Sequence, residues 1–219
     1  MAPSVVILDC DGTLVDSAGH IVAVFNEAIV TLGYAPLPPE RVARIIGLSF
    51  DDALQHLLPE ATADERARII HVYRAQYAVN AVGRDPLFAG VREFLDLVRG
   101  QGRHLAMATG KSRAGALRII AEHGLNDYFV SVKTGDLCRP KPHPDMLLQI
   151  LDEMGVPAAR AIMVGDTTFD VEMARSAGVR AIGVGWGAHE AQELADAGAD
   201  LVVSALPDLA PHLPRLLPD

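Results

Sequence analysis

Asp9 and Asp11 stand one residue apart at the end of the apolar run Val5-Val6-Ile7-Leu8, and Gly12 and Thr13 follow at once. Period-two alternation along an extended chain puts both carboxylates on one side and Cys10 on the other. Two carboxylates this close resist joint ionisation unless a cation neutralises them. Gly12 permits a turn that a β-branched residue would not tolerate. Such a turn leaves backbone N–H groups free to point at an anion. One carboxylate can attack phosphorus to give an aspartyl phosphate. A second, two residues on, can protonate the leaving oxygen and later deprotonate water. Asp-Gly alone is an ordinary turn signal; the pair closing a fully apolar run is what points to chemistry.

Three further sites repeat the theme. Ala108-Thr109-Gly110-Lys111 offers a hydroxyl and an unhindered backbone N–H near a helix start, which suits a phosphate; a turn with Ser112 as helix cap is the plain alternative. In Arg139-Pro140-Lys141-Pro142-His143-Pro144-Asp145 the prolines fix the chain around Lys141. A point-charge ammonium on a stiff loop can bind a carboxylate and a phosphoryl oxygen together. His143 reads as a helix-start residue. Gly165-Asp166-Thr167-Thr168-Phe169-Asp170 places carboxylates four apart at a strand-to-helix corner. Hard oxygen ligands of this kind suit Mg²⁺, which keeps several waters.

The elements that must carry these residues are legible in the apolar pattern. Val5 to Leu8, Leu105 to Thr109, Phe129 to Val132, Ala161 to Val164, Ala181 to Val184 and Leu201 to Val203 read as short buried strands. Between them lie helical stripes such as Val91, Phe94, Leu95 and Val98, or Met146, Leu147, Ile150, Leu151 and Met154. The alternation implies an α/β fold with a doubly wound, mostly parallel, Rossmann-like sheet. From Ser17 to about Asp85 the strands stop. Four helices are expected there: one from Ser17 as N-cap, one opened by Pro38-Pro39-Glu40, one through Ala53 to Leu58, and one along Ile69, Tyr73, Tyr77 and Ala81. We therefore expect residues 1–16 and 86–219 to form a catalytic core and residues 17–85 a helical cap domain. Open α/β sheets bind ligands at the carboxyl edge, where such a lid would sit. Pro207 to Pro218 reads as a terminal helix and tail.

The whole chain has 219 residues and a formal charge of −9, with half its residues apolar. This composition excludes disorder and argues against nucleic acid or an anionic membrane as partner. The longest run free of charged side chains, Ala28 to Pro39, is too short to span a bilayer. Two cysteines, Cys10 and Cys138, make no disulfide framework, so the chain reads as cytoplasmic. Cys10 and the lone Trp186 read as packing residues.

In the order Asp9-x-Asp11-Gly12-Thr13, Thr109, Lys141 and Gly165-Asp166-x-x-x-Asp170, the sequence resembles the haloacid dehalogenase-like hydrolase superfamily along essentially its whole length. Within it the chain is most similar to phosphoglycolate phosphatases, through Arg139 to Asp145, Gly183-Val184-Gly185-Trp186-Gly187 and the cap segment Gly47-Leu48-Ser49. The resemblance implies Asp9 as nucleophile and Mg²⁺ ligand. It implies Asp11 as general acid and base, with its backbone carbonyl on the metal. Thr109 and Lys141 would hold the phosphoryl group, with Gly12, Thr13, Gly110, Gly47 and Ser49 lining the phosphate and substrate site. Asp166 would bind Mg²⁺, and Asp170 would support it through water or Lys141. The implied partner is a small phosphorylated metabolite. Gly110 departs from the pattern, because these phosphatases often carry Asn there. A phosphomutase or pyrophosphatase on the same scaffold, and a catalytically silent binding protein, are the alternatives. The absence of lysine between Ser17 and Asp85 speaks against a phosphonate hydrolase, and Asp11 speaks against a dehalogenase. Of Arg41, Arg44, Arg66, Arg68, Arg74 and Arg84, most read as a solvated helix face; Arg44, nearest the cap loop, is the candidate among them for a substrate-carboxylate contact.

Overall fold

The computed structural model describes residues 3–80 and 85–218. Its six strands are β1 (Val5–Leu8), β2 (His104–Thr109), β3 (Phe129–Thr134), β4 (Ala161–Gly165), β5 (Arg180–Val184) and β6 (Leu201–Val203). They form one sheet in the order β3-β2-β1-β4-β5-β6, and every pairing is parallel. Parallel strands need crossover helices, and those helices cover both faces. Val6 and Leu8 join Phe94 of α5 (Val91–Gly100) and Ile119 of α6 (Arg113–Glu122) in one core. Val5 and Ile7 join Met146 of α7 (Asp145–Met154) and Val171 of α8 (Thr168–Ser176) in the other. β1 is therefore apolar at every position because both of its faces are covered. The chain reverses direction across the sheet on either side of β1. Its carboxyl end is the switch point where such sheets bind ligands.

Between β1 and α5 lie α1 (Ala18–Thr31), α2 (Pro39–Ala43), α3 (Phe50–Leu57) and α4 (Ala63–Asn80). They build a separate apolar cluster from Phe25, Ile29, Val42, Leu54, Leu57 and Ile69. Ala81, expected at the end of the fourth stripe, lies outside the described residues. One expected cap is corrected. Ser17 precedes α1 without capping it; its hydroxyl donates instead to Asp11 Oδ1 at 2.6 Å. The terminal segment is also more than a tail. A short helix α9 (Ala191–Asp196) precedes β6, and after β6 a 3₁₀ stretch (Leu206–His212) leads into α10 (Leu213–Leu216). Leu209, Leu213 and Leu217 there are buried against the sheet core. Among the described residues no helix is long and apolar enough to cross a membrane.

Candidate active site

β1 delivers Asp9 to the switch point, where its N–H donates to the Val164 carbonyl at 2.9 Å and locks it against β4. Lys141, on the loop before α7, reaches the same place. Its Nζ lies 2.9 Å from Asp9 Oδ1 and 2.6 Å from Asp170 Oδ1. Asp166 follows β4, and Asp170 sits in the first turn of α8. Asp9, Asp166, Asp170 and Lys141 are all at most 1% exposed. One oxygen from each carboxylate lies within 4.8 Å of the others. Asp166 is held by the Thr13 hydroxyl at 2.9 Å and the Ala188 N–H at 2.8 Å. Asp170 closes a capping box, taking the Thr167 hydroxyl at 2.7 Å and the Thr167 N–H at 3.2 Å on Oδ2. Apart from the Lys141 ammonium, no donor reaches either oxygen of Asp9 or Oδ1 of Asp170.

Three buried carboxylates thus face one ammonium. Burial lifts Asp9 from the ordinary carboxylate range to about 7; Lys141 opposes the rise and Asp170 adds to it. Burial lifts Asp166 to about 8, with Asp9 and Asp170 adding to it. Burial alone would lower Lys141, but Asp170 and Asp9 outweigh it and hold it protonated. Excess negative charge, carboxylate oxygens short of donors and an all-oxygen donor set together fit a divalent cation of the Mg²⁺ type, which Asp9, Asp166 and Asp170 could hold. Gly12 is required beside them. It sits at φ +75°, and a Cβ there would stand 2.2 Å from Asp166 Oδ2.

Asp11 turns to different partners from Asp9. Its Oδ1 accepts from Ser17 at 2.6 Å and lies 2.9 Å from Lys111 Nζ, so its carboxylate is not part of the oxygen triad. Two expected anion donors are engaged within the turn: Gly12 N–H donates to the Val15 carbonyl at 3.0 Å and Thr13 N–H to the Cys10 carbonyl at 3.4 Å. Thr13 enters the site through its hold on Asp166. Thr109 is buried, and its Oγ1 accepts from the Lys111 N–H at 3.2 Å. Ser112 does cap α6, accepting from the Gly115 N–H at 3.3 Å. Sequence reasoning missed Lys111, although the signal was present: it is one of only three lysines and follows Thr109-Gly110 directly. It also missed Asp85, which is buried and gathers His20 at 2.8 Å, the Tyr77 hydroxyl at 2.7 Å and Arg118 at 3.3 Å.

A cavity of about 480 Å³ lies between the helical insert and the sheet, with Asp11, Gly110 and Lys111 in its wall beside Gly47 and Ser49. Ser49 caps α3, accepting from Asp52 N–H at 3.3 Å, and its hydroxyl donates to Asp52 Oδ2 at 2.6 Å. A Cβ on Gly110 would meet the carbonyl oxygens of Gly47 and Leu48 at 2.4 and 2.5 Å. The insert loop occupies the space a larger side chain would need, which accounts for glycine at this position. Arg44 corrects another expectation. It is not among the residues of the cavity wall and pairs with Glu193 of α9 through two 2.7 Å contacts. Arg74 and Arg118 line the cavity instead. Cys10 and Trp186 pack as expected, Cys10 in the sheet core and Trp186 edge-on to Phe88 at 6.0 Å.

The family model of the haloacid dehalogenase-like hydrolases matches residues 6–184. The chain belongs to that family. It is 39% identical over 209 residues to "Probable phosphatase IndB" of Dickeya dadantii, covering 93% of this chain and 90% of the relative. It is 34% identical over 214 residues to the "Phosphoglycolate phosphatase" of Chromobacterium violaceum, covering 93% of each. A solved hydrolase from Pseudomonas syringae superposes with a TM-score of 0.88 at 27% identity, over 97% of this chain and 98% of that one. The expected doubly wound haloacid dehalogenase-like core is thus the fold of this chain.

Proposed function

We propose that this protein is a Mg²⁺-dependent phosphatase that hydrolyses a small phosphomonoester through an aspartyl phosphate on Asp9. The observation that carries the reading is the buried Asp9 carboxylate, with the Lys141 ammonium as its one donor, beside two further carboxylates, and with Asp11 in the wall of the cavity. Relatives named phosphatase and phosphoglycolate phosphatase support it, and phosphoglycolate is the first substrate to assay.

In this mechanism an Asp9 oxygen attacks phosphorus as the ester P–O bond breaks, and Asp11 gives its proton to the departing alkoxide. Asp11 then takes a proton from water, whose oxygen attacks the phosphoryl phosphorus and releases phosphate and the Asp9 carboxylate. Lys141 and Thr109 hold phosphoryl oxygens, and Ser17 and Lys111 fix the direction of the Asp11 carboxylate. Mg²⁺ held by Asp9, Asp166 and Asp170 would neutralise the charge that otherwise repels a phosphate dianion. Residues 17–85 act as a cap domain over the core formed by residues 1–16 and 86–219. Because Asp9 is fully buried, the cap must open to admit substrate. Asp9→Asn keeps the shape of the side chain and removes the nucleophile. It should fold with an unchanged circular dichroism spectrum and lose phosphate release on every substrate. Near wild-type turnover in that variant, or full turnover in chelator, would sink the assignment.

A further inference from the structure

We infer that the preferred substrates are phosphomonoesters whose leaving alcohol carries an aromatic or other ring-sized apolar group. This rests on the phosphatase reading above and names the substrate class of that same site. Asp11, the residue placed to protonate the leaving oxygen, lines the cavity, and the remaining wall is shared between the core loops and the helical insert. The volume beyond Asp11 is therefore where the leaving alcohol must lie. At about 480 Å³ it falls within the range of sites that enclose drug-sized ligands, roughly 300–1,000 Å³, and far exceeds the needs of a two-carbon acid.

The wall has a matching chemistry. Phe25, Phe50, Tyr73 and Tyr77 form a row of rings along it, with centroids 6.2, 4.3 and 5.4 Å apart in that order. The row ends at Lys111, whose Nζ lies 5.1 Å from the Tyr77 centroid and 2.9 Å from Asp11. Ile21 and Ile70 line the same cavity. Such a surface gains free energy by covering an apolar ring, and stacked or edge-on ring contacts add to the gain from area burial. An anionic alcohol such as glycolate would need a cation here instead. Lys111 is already paired with Asp11, and Arg118 with Asp85 and Glu122. Arg74 alone among the cavity's cations has no such partner among the described residues, and it is exposed. The Tyr73 hydroxyl, without a hydrogen bond among the described residues, is available to a polar atom on the ring.

The test compares benzyl phosphate with phosphoglycolate in the presence of Mg²⁺. Both release alkoxides, so a preference reports binding of the alcohol rather than an easier departure, as phenyl esters would. The expected kcat/KM for benzyl phosphate exceeds that for phosphoglycolate by tenfold or more. Tyr73→Ala and Phe50→Leu should each shrink that ratio at least threefold, lowering kcat/KM for benzyl phosphate more than for phosphoglycolate. Equal or better turnover of phosphoglycolate, or a ratio unmoved in both variants, overturns this inference and leaves the phosphatase reading standing. No turnover of either ester, nor of acetyl phosphate, overturns the phosphatase reading itself. If one variant fails to fold, the wild-type ratio and the other variant still decide.

Discussion

Asp9 and Asp166 are acids held above their ordinary range, at about 7 and about 8, chiefly because burial penalises their charged forms. An acid with a raised pKa keeps its proton in the folded chain where the unfolded chain has lost it. The metal-free fold has this contribution in full below the unfolded carboxylate range, and loses it as pH rises through about 7 and then about 8. Mg²⁺ binds the ionised oxygens, so its stabilisation should grow across the same window. Calorimetry with and without Mg²⁺ should show a larger rise in Tm at about pH 9 than at about pH 5; equal rises would refute a site at this triad. The Lys111–Asp11 pair gives a second prediction. Removing one partner of a nearly buried pair strands the other charge, at a cost of about 3–5 kcal/mol. Lys111→Met should therefore lower Tm sharply, and Lys111→Met with Asp11→Asn should be more stable than the sum of the single variants. Asp9, Lys141, Asp166 and Asp170 were legible in the sequence because each closes, or closely follows, an apolar run or stiff loop. The partners of Lys111 and Asp85 were not, because both meet side chains from remote segments along loop paths that local pattern does not encode.

At the scale of elements, the strands were legible because both faces of the sheet are covered and the apolar runs are unbroken. β3 was read two residues short. It is an edge strand, and Lys133 and Thr134 interrupt the apolar run while the backbone ladder continues to Thr134. Contacts between insert and core were not legible, and on the cap reading two of them would set how tightly the insert closes. Arg44 joins the end of α2 to Glu193 on α9, and the His189 ring donates from Nε2 to the Arg44 carbonyl at 3.1 Å while its Nδ1 accepts the Thr168 N–H at 3.0 Å. The pair is half exposed, so it is worth about 0.2–1 kcal/mol. Arg44→Glu should leave Tm almost unchanged and raise KM up to about fivefold, since 1.4 kcal/mol is a factor of ten. Glu193→Arg in the same chain should restore KM; a KM unmoved by the single change would show that the contact does not hold the insert. Gly110→Ala tests the other contact. Its Cβ must displace the Gly47 and Leu48 carbonyls, so kcat/KM should fall about tenfold while the sheet core keeps its stability. Unchanged kinetics in that variant would mean that closure over Gly110 is not needed for turnover.

Among the described residues the apolar core falls into separate clusters, one on each face of the sheet and the others inside the helical insert. The division was visible in the sequence as an interruption of the strand–helix alternation after Asp16. Its seam was not, because the residues that meet across it are polar and scattered: Arg44 with Glu193, and Asp85 with Arg118. Clusters that share few apolar contacts should open as separate cooperative units. Leu54 is fully buried in the insert cluster and touches none of the sheet strands in that cluster's membership. Leu54→Ala should cost about 2–5 kcal/mol from lost transfer energy and the cavity left behind. If the insert is a cap that opens without disturbing the sheet, that loss belongs to the insert alone. Amide exchange should then accelerate throughout α1 to α4 while β1, β2 and β4 keep their wild-type protection. Equal acceleration in the strands would show a single cooperative unit, and substrate entry would then need some route other than a rigid cap swinging from the core.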